Sequence, residues 1–318
     1  MQIGVIGLGR MGANIALRLM RHGHDVVAYD RDPAAGEALA RDGATAGRDI
    51  DDLITRLDPP RTVWVMLPAG EATEATMARL GERLAPGDTV IDGGNTIWRD
   101  DLRRAKALNA RGIHHLDVGT SGGILGRERG YCLMIGGEPA PVARLAPVFA
   151  ALSPGGGDAA PTAPQGWLHV GPNGAGHFVK MVHNGIEYGL MQAYAEGFQI
   201  LQETDSDALP ADERFALDTA AIAEVWRHGS IVSSQLLDVI AKALDVDAAL
   251  DDFSGVVADT GEGRWTVQTA IERAIPAMAL TTALNARFRS RKQPNFADKL
   301  ISAMRRGFGG HAEPRGKA

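Results

Sequence analysis

A chain of 318 residues is long enough for one large domain or two ordinary ones with a substantial hydrophobic core. Hydrophobic residues make up 45% of it and charged residues 23%, and the formal net charge of -6 argues against binding to nucleic acid. The single cysteine, Cys132, excludes an internal disulfide, and because it lies in the apolar run YCLMIG we expect a buried, inert thiol.

The N-terminal residues MQIGVIGLG give no sign of a secretory leader. No cationic segment precedes the apolar residues, and no apolar run in the chain approaches the length of a membrane span. A single cysteine also fits a reducing compartment. We therefore expect a cytoplasmic protein that does not bind a membrane.

The first thirty residues predict a strand, a glycine turn, a helix and a second strand. Gly7, Gly9 and Gly12 form the pattern G-x-G-x-x-G directly after the apolar strand IGVI. Gly7 permits a tight turn, Gly9 lets the backbone approach a pyrophosphate, and Gly12 allows the helix to pack on the strand. The helix N-terminus adds N–H donors for the phosphates. The predicted cofactor loop consists of Gly7, Leu8, Gly9, Arg10, Met11 and Gly12.

The second strand, DVVAY, ends at Asp30, and this residue bears on the choice of cofactor. A carboxylate here suits the adenosine ribose diol of NAD and repels the 2′-phosphate of NADP, so we favour NAD. Arg31 could instead hold that phosphate. NADP therefore stays open as an alternative.

Five further strands are predicted at 62–67, 88–95, 114–119, 131–137 and 167–171. Their alternation with helical patterns indicates an open, mostly parallel sheet, whose ligands lie beyond the carboxyl ends of the strands. Segments that follow these strands are candidate binding residues, although all are also ordinary turn formers. The candidates are Leu67, Pro68 and Ala69 for the cofactor, Asn95 for cofactor and substrate, and Ser121, Gly122 and Gly123 for the substrate. The Pro- and Gly-rich segment 153–166 predicts a loop.

Strand patterns stop at about residue 175. Long helices are then predicted at 176–203, 211–228, 230–243, 264–290 and 294–306. The fold class predicted from the whole pattern is an α/β Rossmann-type dinucleotide-binding domain followed by an all-α domain. We place the first domain at residues 1–174 and the second at residues 175–318.

The helix that begins near residue 176, GHFVKMVHNGIEYG, carries a narrow polar strip on an otherwise apolar surface. Helical spacing places four polar side chains on one face: Lys180, His183, Asn184 and Glu187. A helix this apolar is normally buried. Gly185 and Gly189 each cost roughly 1 kcal/mol relative to alanine, so we expect another helix or a ligand close to them. A solvated stripe is the alternative, but this mixture of groups is typical of the wall of a site.

Over most of its length the chain resembles the 6-phosphogluconate dehydrogenase (decarboxylating) family. The motifs that carry the resemblance are GLGRMG, DGGN at 92–95, SGG at 121–123, GAGHFVKMVHNGIEYG at 174–189, GEGRWT at 261–266, ARFRSR at 286–291 and RRGFGGHAE at 305–313. The helix motif is highly specific, whereas the glycine motif alone would not separate this family from its relatives. The chain is most similar to the short bacterial members, among which NAD use is common.

The resemblance implies oxidative decarboxylation of 6-phosphogluconate to ribulose 5-phosphate and CO2, a step of the pentose phosphate pathway, with reduction of a nicotinamide cofactor. It implies that Lys180 acts as general base and then acid, that Glu187 protonates the product carbon, and that Asn184 binds substrate and nicotinamide. It also implies residues that line the substrate, namely Ser121, Gly122, Gly123, His183 and Tyr188. No metal is required, and no spacing of His, Asp or Glu suggests one.

The resemblance further implies that Arg287 holds the sugar phosphate. The tail motif would lend Arg305 and His311 to the site of a neighbouring subunit, which implies a homodimer or homotetramer. Where the family has a phosphate-binding lysine this chain has Thr260, and whether Arg264 replaces that lysine stays open.

Two other functions stay open. A 3-hydroxyacid dehydrogenase of the same superfamily, similar to 3-hydroxyisobutyrate dehydrogenase, would share the fold and a catalytic lysine but would not need Glu187 or Arg287. A dinucleotide sensor without turnover would be favoured by the loss of Lys180 or Asn184, and both residues are present.

Overall fold

The computed structural model describes residues 1–155 and 160–313. The chain divides into two compact units, Met1–Met181 and Val182–Ala318. The first is a Rossmann-type α/β unit and the second, in its described residues, is helical, so the predicted fold class is confirmed. The boundary predicted between residues 174 and 175 stays a prediction. Part of the loop predicted at 153–166, residues 156–159, lies outside the described residues.

The described part of the first unit contains an eight-stranded sheet. Its strands are β1 Gln2–Ile6, β2 Asp25–Tyr29, β3 Thr45–Ala46, β4 Thr62–Val65, β5 Thr89–Asp92, β6 His114–Ser121, β7 Cys132–Gly136 and β8 Trp167–Gly171. The spatial order is β3-β2-β1-β4-β5-β6-β7-β8, and neighbouring strands are parallel except β6 and β7. The strand order reverses beside β1, and an open α/β sheet binds its ligand at such a point.

Helices cover both faces of this sheet. They are α1 Arg10–Arg21, α2 Pro33–Arg41, α3 Ile50–Thr55, α4 Glu71–Arg83, α5 Trp98–Asn109, α6 Gly126–Arg129, α7 Pro139–Arg144 and α8 Ala146–Leu152. Side chains alternate between two hydrophobic cores, so that in β4 Val63 and Val65 join one core and Trp64 joins the other. Burial on both faces explains why the strands read as continuous apolar runs.

The 28-residue helix α9, Ala175–Gln202, begins in the first unit and continues into the second. The other helices of the second unit are α10 Thr219–Arg227, α11 Gln235–Val246, α12 Glu262–Glu272, α13 Met278–Ser290 and α14 Phe296–Gly309. One core joins α9, α10, α11 and α14, and includes Phe198, Leu237 and Leu300. Among the described residues, no helix is long and apolar enough to cross a membrane.

The prediction of one helix at 264–290 is wrong, because α12 and α13 are separate. Pro276 lies between them, and proline both lacks an N–H group and disfavours the helical conformation in Ile275 before it. Ala274 has a φ of 51°, in the left-handed region. The helix predicted at 211–228 begins only at Thr219, where the Asp218 side chain accepts a hydrogen bond from an N–H group of the first turn.

The prediction of a buried thiol is also wrong, since Cys132 is exposed. Cys132 is the first residue of β7 and pairs with Ser121, the last residue of β6. It therefore lies at the end of the antiparallel pair, while the apolar residues that follow it, such as Leu133 and Ile135, enter the core. The apolar run was identified correctly, but its first residue lies outside the core.

Helix α9 is not buried all round, because Ile186 is 53% exposed and Leu190 is 48% exposed. The expectation of a close neighbour at its glycines is nevertheless confirmed for Gly185. A Cβ added there would lie 2.7 Å from Cγ2 of Thr266 in α12. At Gly189 the contact is ordinary, 3.6 Å from a methyl group of Leu280.

The first turn of α9 lies directly on the backbones of β6 and β7. A Cβ added at Gly176 would overlap the carbonyl oxygen of Asp117, and it would lie 2.5 Å from the carbonyl oxygen of Met134 and 2.8 Å from the nitrogen of Gly136. All three neighbours are backbone atoms, which cannot move aside as a flexible side chain can. The position therefore requires glycine for its lack of volume.

We expect Gly176→Ala to destabilise the protein by at least about 2 kcal/mol, because the helix has to move off the sheet to admit one methyl group. Thermal or denaturant unfolding would measure this loss. Gly197→Ala, in the same helix, is the matched control: a Cβ there meets nothing within 4 Å. It should leave stability unchanged or raise it by up to about 1 kcal/mol. Equal stability of the two variants would contradict the close packing.

Candidate active site

The glycine turn lies at the carboxyl end of β1 and has a shape that suits a dinucleotide. Gly7 has a φ of 90°, and a Cβ there would overlap the carbonyl oxygen of Met66. A Cβ at Gly12 would overlap the carbonyl oxygen of Gly7, whereas a Cβ at Gly9 would meet nothing within 4 Å. Helix α1 begins at Arg10 and has no side-chain cap. The open backbone and the uncapped N-terminus fit a pyrophosphate.

Asp30 is fixed beside this turn by its own carboxylate. One oxygen accepts a hydrogen bond from the Leu8 N–H at 2.6 Å, and the other accepts one from the Asp32 N–H at 2.9 Å. The carboxylate thus holds a defined position at the end of β2, where the ribose of a dinucleotide would lie. Arg31 is exposed.

The ends of β4 and β5 meet the same turn. A Cβ added at Gly94 would lie 2.6 Å from the carbonyl oxygen of Leu67, and one added at Gly7 would lie 2.8 Å from a methyl group of Leu67. Pro68 and Ala69, which follow Leu67, are exposed, and so is Asn95. The structure therefore brings three of the predicted cofactor segments together at one edge of the sheet.

Lys180 lies in the first unit, against β6. Lys180 is only 7% exposed. A Cβ added at Gly119 of β6 would overlap the Cβ of Lys180. Cys132 is exposed, but neighbouring atoms partly desolvate its thiol and raise its pKa, and the positive charge of Lys180 partly counters this. The predicted base thus lies close to the end of β6, where Ser121 begins the predicted substrate loop. Gly122 and Gly123 follow with positive φ values of 131° and 56°.

Asp117 and His177 are two buried residues near Lys180 that the sequence patterns did not single out. Asp117, in β6, is fully buried, and its carboxylate accepts hydrogen bonds from the N–H groups of Gly174 at 2.7 Å and His177 at 2.9 Å. It therefore caps the first turn of α9 from a different element. The signals for it were an acidic residue inside the apolar run HHLDVG and the histidine of GHFVK.

His177 belongs to a buried network of charges. Its Nδ1 lies 2.7 Å from Oδ2 of Asp101 in α5, and Arg104 of the same helix donates to Asp92 at 2.8 Å. Burial by itself lowers the pKa of His177, but the carboxylates of Asp101, Asp92 and Asp117 outweigh it and raise that pKa to about 10. His177 is therefore a buried imidazolium at neutral pH.

Three members of the network, Asp92, Asp101 and His177, place ligand atoms within 4.8 Å of one another, a spacing that could hold a metal ion. Sequence spacing gave no sign of this group, because its members come from β5, α5 and α9. The guanidinium of Arg104 already lies 2.8 Å from Asp92 and 3.7 Å from Asp101. A cation is thus supplied to these carboxylates by the protein itself.

In the second unit, His183, Asn184 and Glu187 form a partly buried group. Nδ1 of His183 lies 3.0 Å from Oδ1 of Asn184 and 3.9 Å from Oε2 of Glu187. The Glu187 side chain is 24% exposed. An imidazole, an amide and a carboxylate in this arrangement can bind hydroxyl groups and exchange a proton.

The second unit also contains two buried arginines. The Arg287 guanidinium lies 3.2 Å from the centre of the Tyr188 ring and donates to the carbonyl oxygen of Ala258 at 3.1 Å. Burial, together with the charge of Arg305, lowers the pKa of Arg287 to about 10, against the opposing effects of Tyr188, Glu187 and Asp259. Burial lowers the pKa of Arg305 as well. Within residues 1–155 and 160–313, neither guanidinium lies within 4 Å of a carboxylate oxygen.

The remaining predicted phosphate residues differ from these two. Arg264 is paired with Asp259, its NH2 group lying 2.5 Å from a carboxylate oxygen, and it is half exposed. The Thr260 hydroxyl donates to Glu262 at 2.7 Å. His311 is exposed, with its ring centre 6.2 Å from that of Phe308. Arg264 therefore has its charge compensated, and its role as a replacement for the missing lysine stays a prediction.

The glycine turn, the fixed acidic residue at the end of β2 and the parallel sheet define an oxidoreductase of the kind that binds a nicotinamide dinucleotide. Residues 2–159 match the family model described as the NAD binding domain of 6-phosphogluconate dehydrogenase. Residues 176–208 and 193–313 match the model of the 6-phosphogluconate dehydrogenase C-terminal domain. The chain belongs to the 6-phosphogluconate dehydrogenase family.

Individual relatives agree with this. An NAD(+)-dependent, decarboxylating 6-phosphogluconate dehydrogenase from Haloferax volcanii is 41% identical over 316 residues, which cover 99% of each chain. The structure of Plasmodium falciparum 6-phosphogluconate dehydrogenase, solved apo, with NADP+ and with 6-phosphogluconate, has a TM-score of 0.76 at 27% identity, over 91% of this chain and 62% of that one. Mycobacterium tuberculosis 3-hydroxyisobutyrate dehydrogenase with L-serine has a TM-score of 0.69 at 19% identity, over 94% and 97%, which shows the fold alone.

We predict that stability falls with rising pH in a window set by His177. Its pKa in the folded protein is about 10, against an ordinary value of 6.5, so the folded state keeps a proton that the unfolded state releases. The stabilisation is complete below pH 6.5 and is lost as the pH rises through 10, at about 1.4 kcal/mol per pH unit in between.

Denaturant unfolding between pH 6 and pH 10 would measure this decline. His177→Gln should flatten it. His228→Gln is the matched control, because His228 also faces a carboxylate, Glu224 at 2.8 Å, but is exposed. It should leave the decline in place. A wild-type profile as flat as that of His177→Gln would show that His177 is not charged in the folded state.

Proposed function

We propose that this protein catalyses the oxidative decarboxylation of 6-phosphogluconate to ribulose 5-phosphate and CO2, the reaction of the pentose phosphate pathway, with reduction of a nicotinamide cofactor. The observation that carries the proposal is the pair of buried arginines, Arg287 and Arg305. A buried cation is costly when no carboxylate lies within 4 Å of it, and here carboxylates such as Glu187 and Asp259 act on both guanidinium groups only from a longer distance. Two such cations favour a ligand that brings negative charge. Guanidinium groups suit the oxygens of a phosphate group in charge and geometry.

This pair also favours the sugar phosphate over the runner-up substrate. A 3-hydroxyisobutyrate molecule has one carboxylate and no phosphate, so it would leave part of that positive charge uncompensated. The likeness in length and sequence to the Haloferax enzyme supports the same choice, as 99% of each chain is covered. A sensor without turnover would not need a buried lysine, and Lys180 is buried.

In the proposed reaction Lys180 takes the proton from the C3 hydroxyl of the substrate. Burial in general disfavours the charged form of an amine, which suits a residue that has to accept a proton. A bound nicotinamide would supply the acceptor for the hydride that leaves C3. The bond between C1 and C2 then breaks and C1 leaves as CO2. The electron pair of that bond is taken up by the C3 carbonyl. Lys180, now protonated, returns its proton to that oxygen and gives an enediol.

Glu187 then protonates the carbon that has lost CO2, and Lys180 takes back the hydroxyl proton, which gives ribulose 5-phosphate. We propose that Asn184 orients substrate and nicotinamide, with its amide held by His183 at 3.0 Å. The other residues proposed to line the substrate are Asn95, Ser121, Gly122, Gly123, His183 and Tyr188.

The oligomeric state is part of the proposal as well. The resemblance assigns Arg305 and His311 to the site of a neighbouring subunit in a homodimer or homotetramer. Arg305 is buried in the same unit as Arg287 of its own chain, while His311 is exposed. We therefore propose a phosphate site built mainly within one chain, to which His311 of a neighbour adds.

Arg287→Met tests the substrate. We expect it to raise the KM for 6-phosphogluconate at least tenfold, through loss of a charge-assisted contact of about 1.5–3 kcal/mol, and to leave the KM for the cofactor unchanged. Arg291→Met is the matched control, since Arg291 ends the same helix and is exposed. The measurement is reduced-nicotinamide absorbance together with CO2 release. Faster turnover of 3-hydroxyisobutyrate than of 6-phosphogluconate would overturn the proposal.

We also propose NAD as the preferred cofactor, and Asp30→Asn tests this. The neutral amide keeps the shape but removes the charge that repels a 2′-phosphate and weakens the bond to the ribose diol. The KM for NAD should rise roughly tenfold while that for NADP stays level or falls. Asp25→Asn, an exposed aspartate that begins β2, is the control. An equal change for both cofactors would contradict a role of Asp30 in the preference.

A further inference from the structure

The N-terminal turn of α9 is anchored to the sheet by a single side chain from another element. Gly174 precedes the helix and, as a glycine, has no side chain with which to cap it. Two of the N–H groups that lack an intrahelical partner at this end of the helix, those of Gly174 and His177, donate to the two carboxylate oxygens of Asp117. Asp117 is fully buried, so water does not take over this role.

The same strand touches the helix at a second point, one turn further on. Gly119 follows Asp117 by two residues in β6, so both face the same side of the sheet. Gly119 lies against the Cβ of Lys180, which is one turn after His177 in α9. Two residues of β6 therefore fix two successive positions of the helix, and the second of these positions carries the amine.

Charged groups from each neighbouring element face this anchor. His177 of α9 brings positive charge to Asp117, and Asp101 of α5 brings negative charge. Arg104 of α5 lies 3.7 Å from Asp101, and Asp92 of β5 acts on His177. His115, in β6, is also fully buried. The partners from β5, β6 and α5 belong to the packed first unit, so they give the Asp117 carboxylate a defined surrounding.

We propose that Asp117 is a positioning residue: by capping α9 from β6, its carboxylate fixes where the Lys180 amine stands relative to the substrate loop that begins at Ser121. This rests on the proposed function in so far as Lys180 is the proton-transfer residue. The anchor itself can be tested without turnover.

The test is Asp117→Asn in the full-length protein. The Asn oxygen can accept from one of the two N–H groups, whereas the amide NH2 faces the other and repels it, so the first turn should shift. A displacement of about 1 Å at a catalytic group costs roughly 100-fold in rate. We expect kcat with 6-phosphogluconate to fall by at least tenfold, with the Kd for NADH, measured by fluorescence, unchanged.

Two further readouts do not depend on activity. Amide hydrogen exchange at His177 should accelerate, and the titration of Lys180, followed by NMR after 13C-methylation of the lysines, should shift from that of the wild type. Asp218→Asn is the matched control, because Asp218 caps α10 in the same way but is exposed. It should change none of these quantities. If Asp117→Asn is not recovered folded, Asp117→Ser, which is smaller and neutral, replaces it.

The outcomes separate the two proposals. A wild-type enzyme that leaves 6-phosphogluconate unreacted would overturn the proposed function, while exchange and titration would still test the anchor. Unchanged kcat and unchanged Lys180 titration in a folded Asp117 variant would overturn the positioning role. Loss of kcat accompanied by an equal loss of NADH affinity would also overturn it, since that is the signature of general damage to the fold.

Discussion

The structure depends on one close approach, that of the first turn of α9 to the backbones of β6 and β7. Gly119, Gly136 and Gly176 make it possible, because a methyl group at any of them would collide with a neighbour. Asp117 makes it stable, by satisfying two N–H groups that the contact removes from water. Close packing and a buried cap together convert a helix end, usually a frayed region, into a rigid support for Lys180.

Buried charged side chains form two groups in this protein, and we propose a ligand for only one of them. Around His177 and Arg104, two carboxylates each have a cation within hydrogen-bond distance. Among the described residues, Oδ1 of Asp101 and Nε2 of His177 nevertheless have no hydrogen-bond partner. Arg287 and Arg305 lack such a match among the described residues, and burial lowers the pKa of both. The network around His177 supports the fold, whereas Arg287 and Arg305 are the residues at which we propose that an anionic substrate binds. Both groups are buried, and they differ in whether a side chain of opposite charge lies within hydrogen-bond distance.

Much of this could be predicted from the sequence, because the signals were local. The glycine turn, the alternation of strands and helices, and the polar strip of α9 each occupy one continuous stretch, and their patterns depend on helix and strand periodicity. The buried network around His177 could not be predicted, because its members are distant from one another in sequence. Asp117 and Asp101 are 60 and 76 residues away from His177, so no spacing could reveal the network. Pro276 was a local signal for the break between α12 and α13, but the continuous apolar pattern predicted a single helix. The burial of Cys132 was predicted wrongly because the end of a strand cannot be located to one residue from sequence.

The two buried guanidinium groups of Arg287 and Arg305 have a thermodynamic consequence for the isolated protein. An oxyanion that binds these groups in the native chain, and not in the unfolded one, adds to stability by mass action. The melting temperature is then a property of protein and buffer together, higher in phosphate or sulfate than in chloride at equal ionic strength. If the arginines hold the substrate as proposed, small inorganic anions would compete with it for the same guanidinium groups between turnovers.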